Sequence, residues 1–508
     1  MRNGAIRGAR RIGTVAALTV ATTFGVMVGA PQKAEATTTR IYTLGSMNRF
    51  ILDDTNRWLY PHTITKYGNL FYLELFGSAP SQGSSAPTSN RQASTVSQVD
   101  LVDSLRVQQT AGGGMILGLT DDLFMSMHLS DYEDPTVPRM LNWLASTSGN
   151  DPRGFPWLPD APDAPDSANR KFDVFFAYNV QDLLQLGLQL SYGSSNYSRS
   201  PNDNDPEIPT NLPQDSAERR FGDKIGTSAF SFLLSGGLTL GEFATIDAGL
   251  GMTFHSLTYK PNERSGLIEG GGGLEVQADV RAMIGITEWW ELVPAMSIRS
   301  TSLKAADLAN YANGLRYDNS ETGREDYFIT DASLSDFVFD LGVAGHFKPT
   351  DAIHFWGAMG FEVVKSSQKF ENKIPESPDN GNVRTDQNLE FYRDSFATSA
   401  VPYFRLALEA RIFSWLDFRG GVVKYMRSTK VTEDQEDINN TDFNRLNSIS
   451  RDEPFFDYFL GFAAHYEGFF LDFQMDPLWF SRGPEFLSGA SGSGGGNMFV
   501  NTSLGYRF

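Results

Sequence analysis

From residue 37 onward, apolar residues recur at every second position rather than every third or fourth. Leu184, Leu186, Leu188, Leu190 and Tyr192 alternate with Gln185, Gly187, Gln189 and Ser191. Leu274 through Ile286 and Phe456 through Tyr466 repeat the pattern. In a strand successive side chains point to opposite faces, so each segment has one apolar face and one polar or small one. Sixteen such segments lie near 69–76, 112–119, 123–131, 171–180, 183–193, 226–240, 243–259, 272–287, 289–302, 330–347, 353–366, 396–412, 415–430, 452–466, 468–476 and 497–508. Many exceed the five or six residues usual in globular strands, and reach the nine to eleven or more that a tilted strand needs to cross a bilayer.

The connections alternate as regularly. Short ones fall at 120–122, 181–182, 241–242, 288, 348–352, 414 and 467. Long ones cover 77–111, 132–170, 194–225, 260–271, 303–329, 367–395, 431–451 and 477–496. A soluble sandwich has no reason to place all its long connections on one side. The interleaving predicts an all-β fold: a transmembrane antiparallel up-and-down barrel of about 16 strands (14 as the alternative), with short periplasmic turns and long extracellular loops. Phe124, Tyr178, Phe243, Trp289, Trp290, Phe347, Phe355, Trp415, Tyr466 and Phe469 all flank the short turns. At one level around a barrel such rings form an interfacial girdle.

If the apolar faces meet lipid, the opposite faces line a lumen. The lumen-facing charges are Asp247, Glu275, Asp279, Arg281, Glu291 and Arg299, then Asp340 and Glu362, and then Arg405, Glu409, Arg411, Asp417, Arg419, Asp457 and Asp472. Charges of both signs facing lipid at mid-depth would cost a few kcal/mol each, so their common phase is itself a sign of a wet or internally paired interior. They have two readings of equal weight, a charge filter in a pore and structural pairing that stiffens the wall.

Composition narrows the class. The 508 residues carry 41% hydrophobic side chains, 13% aromatic ones and no cysteine. That excludes thiol nucleophiles, disulfides and Cys-ligated metals. The net charge is -19, and because residues 1–36 are basic the remainder is more acidic still. Such a chain lacks the clustered Lys and Arg that phosphate contacts require, so nucleic acid is dropped as a partner. Residues 1–36 combine Arg2, Arg7, Arg10 and Arg11, an apolar stretch over 12–29 and Ala34-Glu35-Ala36. This is the pattern of a signal peptide cleaved after Ala36, with a cut after Ala30 as the second choice.

The chain ends on Leu504, Tyr506 and Phe508, alternating with polar or small residues. This closing strand resembles the C-terminal signature of bacterial outer-membrane barrels. The resemblance implies an outer-membrane location in a Gram-negative-type cell, lipid on the outer face and recognition by the barrel-assembly machinery. Residues 37–68, ahead of the first strand, contain Gly45, Asp53, Asp54 and Pro61. They resemble the N-terminal region of the FadL-type transporters and their PorV-like relatives, which folds into the lumen as a hatch. Tyr60-Pro61-His62-Thr63 departs from that family's Asn-Pro-Ala-Gly, and sixteen strands depart from its fourteen. A periplasmic leader that only feeds the first strand is the alternative. The stretch is too short for the folded plug of an energy-coupled receptor.

The acidic runs around 160–166, 202–207 and 433–442 offer oxygens to calcium but lack the twelve-residue spacing of a calcium loop, so they read as solvated surface. The Gly/Ser run 488–496 reads as a flexible last loop. The six histidines, His62, His128, His255, His346, His354 and His465, accompany no nucleophile elbow and no zincin pair. No enzyme, cofactor or metal site is expected. The expected organisation is a signal peptide (1–36), a leader or luminal hatch (37–68) and a barrel (69–508). The leading function is a porin-like channel for passive diffusion of small solutes, with homo-trimers common for pores of this width. FadL-like uptake of hydrophobic compounds and a non-transporting scaffold are the alternatives.

Overall fold

A computed structural model describes residues 37–76, 109–132, 170–181, 183–198, 224–260, 269–309, 317–319, 324–326, 329–373, 391–437, 445–475 and 499–508. The signal segment, the acidic runs at 160–166 and 202–207, residues 438–442 and the Gly/Ser run 488–496 lie outside them.

Sixteen antiparallel strands close into one barrel. In chain order the first nine strands are β1 (Leu70–Phe76), β2 (Gln109–Gly118), β3 (Leu123–Tyr132), β4 (Arg170–Val180), β5 (Leu184–Ser198), β6 (Lys224–Leu240), β7 (Ala244–Lys260), β8 (Glu269–Thr287) and β9 (Trp290–Ala309). After them come β12 (Ile329–Thr350), β13 (Ile353–Lys373), β14 (Phe391–Phe413), β15 (Leu416–Asp437), β16 (Arg445–Tyr466), β17 (Phe469–Met475) and β18 (Phe499–Arg507). Two three-residue strands, β10 (Tyr317–Asn319) and β11 (Arg324–Asp326), pair only with each other in the connection between β9 and β12. Each barrel strand pairs with its chain neighbours, and β1 closes the ring against β18 with Leu73 opposite Leu504. Closure leaves no unpaired edge, which a bilayer would not tolerate.

Among the described residues the two faces of the barrel strands separate as the alternation requires. On β14, Pro402, Phe404, Leu406, Leu408, Ala410 and Ile412 share the outward face, while Val401, Tyr403, Arg405, Ala407 and Glu409 turn inward and are buried. The outward run spans about 34 Å along the strand, or roughly 26 Å of height at a tilt near 40°, the height of a membrane-barrel belt. Among the described residues no helix is long and apolar enough to cross a membrane.

Three expectations are corrected. Many strands run further toward the long connections than expected, β13 to Lys373 and β14 from Phe391, because ladder hydrogen bonds continue where the apolar alternation that reveals them has ended. For the same reason Glu433–Asp437 belong to β15, not to a loop. Phe124 is not in the outward girdle; it points inward, against the cluster of Tyr67, Tyr72 and Phe175. The other nine girdle aromatics are exposed on the outer face.

Candidate functional site

Residues 37–69 lie inside the barrel, and most side chains of this stretch are buried. A one-and-a-half-turn helix, α1 (Thr38–Thr43), is capped by Thr37, whose hydroxyl accepts the Arg40 N–H at 3.1 Å. Gly45 (φ +73°) reverses the chain after it, in the left-handed region where a side chain is disfavoured. A 3-10 turn over Asp54–Trp58 is set by a capping box, with Asp53 accepting the Thr55 N–H and Asn56 reaching back to Asp53 N. Pro61 opens a second 3-10 turn over Pro61–Lys66, where its missing N–H costs nothing.

The segment is tied to the wall around nearly the whole circumference. Thr37 donates to Asp472 on β17, the Thr38 N–H to Glu74 on β1 at 2.8 Å, and Thr39 meets Ser503 on β18. Arg405 on β14 donates to the carbonyls of Gly45 and Ser46. Arg281 on β8 donates to those of Arg49 and Ile51. Trp58 sits edge-on to His128 of β3 and Phe175 of β4. His62 bonds Ser235 of β6 and Asp247 of β7. These anchors are near the short-turn end: Asp247, Arg419 and Asp472 each stand three residues into their strands, about 10 Å from the turns.

Small wall residues make room for it. A Cβ on Gly187 would lie 2.1 Å from His62 N, one on Gly249 2.3 Å from Leu59 O, and one on Gly421 2.6 Å from Gly45 N. The same face also carries apolar packing: Ile41, Leu44, Met47, Phe50 and Ile51 join Val293, Ala295, Trp356, Ala358, Val401 and Tyr403 in one cluster.

Buried ion pairs supply the polar half of the contact. Arg40 bridges Asp53 (2.6 Å) and Glu409 (2.7 and 3.0 Å), and Arg419 bridges Glu409 (2.7 Å) and Asp472 (2.8 Å). Arg49 pairs with Asp340 at 2.7 Å, and Arg281 with Asp247 at 2.8 Å. Desolvating charge is offset only where each group is paired and hydrogen-bonded, and these largely are. Beside Asp53, Arg57 bonds Asp54 at 3.0 Å and lies over the Tyr72 ring. Burial pushes the Asp54 carboxyl well above its usual range, against the pull of Arg57 and with the push of Asp53 and Glu74. Burial also holds the His62 imidazole below its ordinary value, overcoming the hydrogen bond to Asp247. A neutral ring with its proton on Nε2 satisfies both His62 contacts, donating to Asp247 and accepting from Ser235.

All fifteen lumen charges named from the sequence face inward. Asp247, Arg281, Asp340, Arg405, Glu409 and Asp472 touch the luminal segment directly, and Arg419 joins two of them. Glu275 bonds Thr301, Arg411 pairs with Asp417, Asp417 with His465, and Glu291 with His346. Asp279, Arg299 and Glu362 are buried on the inner wall, and half-buried Asp457 accepts its neighbour's N–H. Leu504, Tyr506 and Phe508 share the outer face of β18, and the Phe508 N–H donates to Asn69 O. Sequence reasoning missed Arg40, Arg49, Arg57 and His62 as partners of the wall, although three arginines in so short a stretch, ahead of strands that carry inward-phased acids, were a signal in plain view.

No family model matches the chain, and no curated protein matches it. Solved structures with a similar barrel include the ferric yersiniabactin uptake receptor FyuA from Yersinia pestis, at 12% identity over 78% of this chain and 77% of that one, with a TM-score of 0.34. The closed form of the ferric-catecholate import receptor Fiu from E. coli K12 has 6% identity, 80% and 70% coverage and a TM-score of 0.35. The FrpB iron transporter of Neisseria meningitidis (F5-1 variant) has 8% identity, 89% and 84% coverage and a TM-score of 0.31. At these values the likeness is a loose one of barrel architecture and assigns neither family nor cargo.

Proposed function

We propose that this is an outer-membrane barrel that passes small solutes under the control of its own N-terminal segment, rather than a freely open porin. The observation that carries the reading is the seating of residues 37–69 across the lumen, with hydrogen bonds or ion pairs to β1, β6, β7, β8, β12, β14, β17 and β18. A segment that merely fed the first strand would need none of these partners. The outward apolar belt fits a bilayer, and the basic, apolar, small-residue start fits export to it. In this reading the inner-wall charges are chiefly structural, because many are spent on holding the segment. The barrel carries no catalytic role, and homo-trimers remain a natural grouping for it.

Planar-bilayer recording of the mature chain and of a variant lacking residues 41–62 tests this. The intact protein is expected to conduct little, in brief events, and the variant to hold a large steady conductance. A large steady conductance from the intact protein, or identical traces from both, would overturn the proposal.

One observation favours a second reading, passage of apolar compounds. Leu303, Leu334, Val338 and Val364 face inward on β9, β12 and β13, further from the short turns than the luminal segment. Liposomes containing the protein that take up a long-chain fatty acid and exclude a sugar of similar mass would select it.

A further inference from the structure

The buried cluster around α1 is short of positive charge. Five carboxylates, Asp53, Asp54, Glu74, Glu409 and Asp472, meet three guanidinium groups, Arg40, Arg57 and Arg419. Burial keeps Asp54 protonated more readily than usual, and even with its charge removed the acids outnumber the bases. The deficit has a place. Glu74 is 1% exposed; its Oε1 accepts the Thr38 N–H at 2.8 Å, while its Oε2 is buried with no hydrogen-bond partner among the described residues. An uncompensated carboxylate in such a setting is costly.

Thr37 sits between Glu74 and Asp472. Its hydroxyl donates to Asp472 Oδ2 at 2.5 Å, and the nitrogen that follows it in the chain donates to Glu74. Covalent geometry keeps the Thr37 nitrogen within about 4 Å of both its own hydroxyl and the Thr38 nitrogen. Thr37 is also the residue that cleavage after Ala36 would make the first of the mature chain. We infer that Glu74 and Asp472 form a binding site for the chain's own α-ammonium group, created when the signal peptide is removed from Thr37. Hydrolysis of the Ala36–Thr37 peptide bond consumes one water, leaves a carboxylate on the released segment and an amine on Thr37 that takes up a proton at neutral pH. That cation fills the empty side of Glu74. Before cleavage the position holds an uncharged amide, so the cluster gains its missing charge only in the processed chain. The inference concerns how the segment is anchored and does not depend on which solute the barrel passes.

The test uses the full-length protein purified from membranes in detergent, with heat-modifiable migration on gels as the check that the barrel has formed. N-terminal sequencing should begin at Thr37. Reductive methylation at pH 7.5, read by mass spectrometry, should label the Thr37 amine at least about sevenfold more slowly than an ordinary chain terminus, since raising an α-amine by about one unit from its ordinary value near 8 cuts the reactive free base at this pH roughly sevenfold. Glu74→Gln should restore most of that reactivity while the barrel still forms, and Glu74→Asp should retain part of the protection. If Glu74→Gln prevents barrel formation, a variant with Gly-Ser-Gly inserted after Ala36 serves instead, its displaced amine labelling at the ordinary rate. A mature chain that starts elsewhere, or an amine equally slow in wild type, Glu74→Gln and the insertion variant, would overturn the inference.

Discussion

Replacing Arg40 with alanine removes the guanidinium that joins Asp53, inside the segment, to Glu409 on the wall. Both ends of the bridge are buried, and Arg40 itself is 3% exposed. Breaking a buried pair by deleting one partner costs about 3–5 kcal/mol, because the remaining charge keeps its desolvation penalty. Arg419 still contacts Glu409, and Asp53 still accepts the Thr55 N–H, so the lower half of that range applies. If the loss falls on the seated state alone, about 3 kcal/mol raises the ratio of unseated to seated segments by roughly two orders of magnitude. Single-channel recording counts that ratio as the fraction of time spent in the large-conductance state, and trypsin cleavage after Arg49 or Arg57 reports it independently. Arg411→Ala is the control. Its side chain is 34% exposed and its pair with Asp417 holds no part of the segment, so it should change the ratio by no more than a surface pair is worth, about 1 kcal/mol. Indistinguishable conductance and proteolysis in wild type and Arg40→Ala would refute the claim that this bridge seats the segment.

Two further outcomes follow from the same contacts. Gly249→Val should unseat the segment by the 1–3 kcal/mol typical of overpacking, because even the first added carbon would lie 2.3 Å from Leu59 O; Gly236→Ala, whose Cβ would find its nearest atom at 3.7 Å on the outward face, should leave open time and trypsin cleavage unchanged. Acidification should also loosen the segment. His62 is held below its ordinary value by burial, with Lys66 and Arg281 adding to the depression and Asp247 opposing it. A depressed value means the seated form binds the proton less well than the released one, so this stabilisation is present above about pH 6.5 and is lost as the pH falls through the seated value. Conductance recorded from pH 7.5 to 5 should rise in wild type and rise less in His62→Gln; parallel curves would remove His62 from the account.

The barrel was legible because its information is local. Whether Leu406 meets lipid is decided by its own polarity and by Arg405 and Ala407 beside it, and the same two-residue rule applies in every strand. The rule fails where side chains stop reporting the backbone, as at Lys373, paired with Ile329, and Asp394, paired with Lys369, which remain in the ladder without an apolar face to show it. It also fails at Phe124, where an aromatic next to a turn suits either face and the inner cluster claims it. Gly45, Asp53, Asp54 and Pro61 carry local signatures too, since a left-handed turn, a capping box and a first-turn proline are each written within a few residues.

What joins the segment to the wall is not local in that sense. Arg40 and Glu409 are 369 positions apart, and Thr37 and Asp472 435 apart. A barrel of this kind gives any luminal side chain many wall positions to choose from, and the inward phase of Glu409 says only that it is available, not to whom. The choice is made by shape. Gly187, Gly249 and Gly421 interrupt the inner wall where the segment's backbone must pass, and each reads in the sequence as an ordinary weak point in a strand. Only when three such gaps line a single path, with arginines at its side and acids opposite, does their common cause emerge. Not every inward glycine reports the segment: Gly505 makes room for the Phe470 ring and Gly360 for the Tyr403 hydroxyl, both on the wall itself. Gly187, Gly249 and Gly421 differ in that backbone atoms of the segment take the space, so they mark its path more firmly than a charge, which a wall neighbour can satisfy, as Asp417 does Arg411.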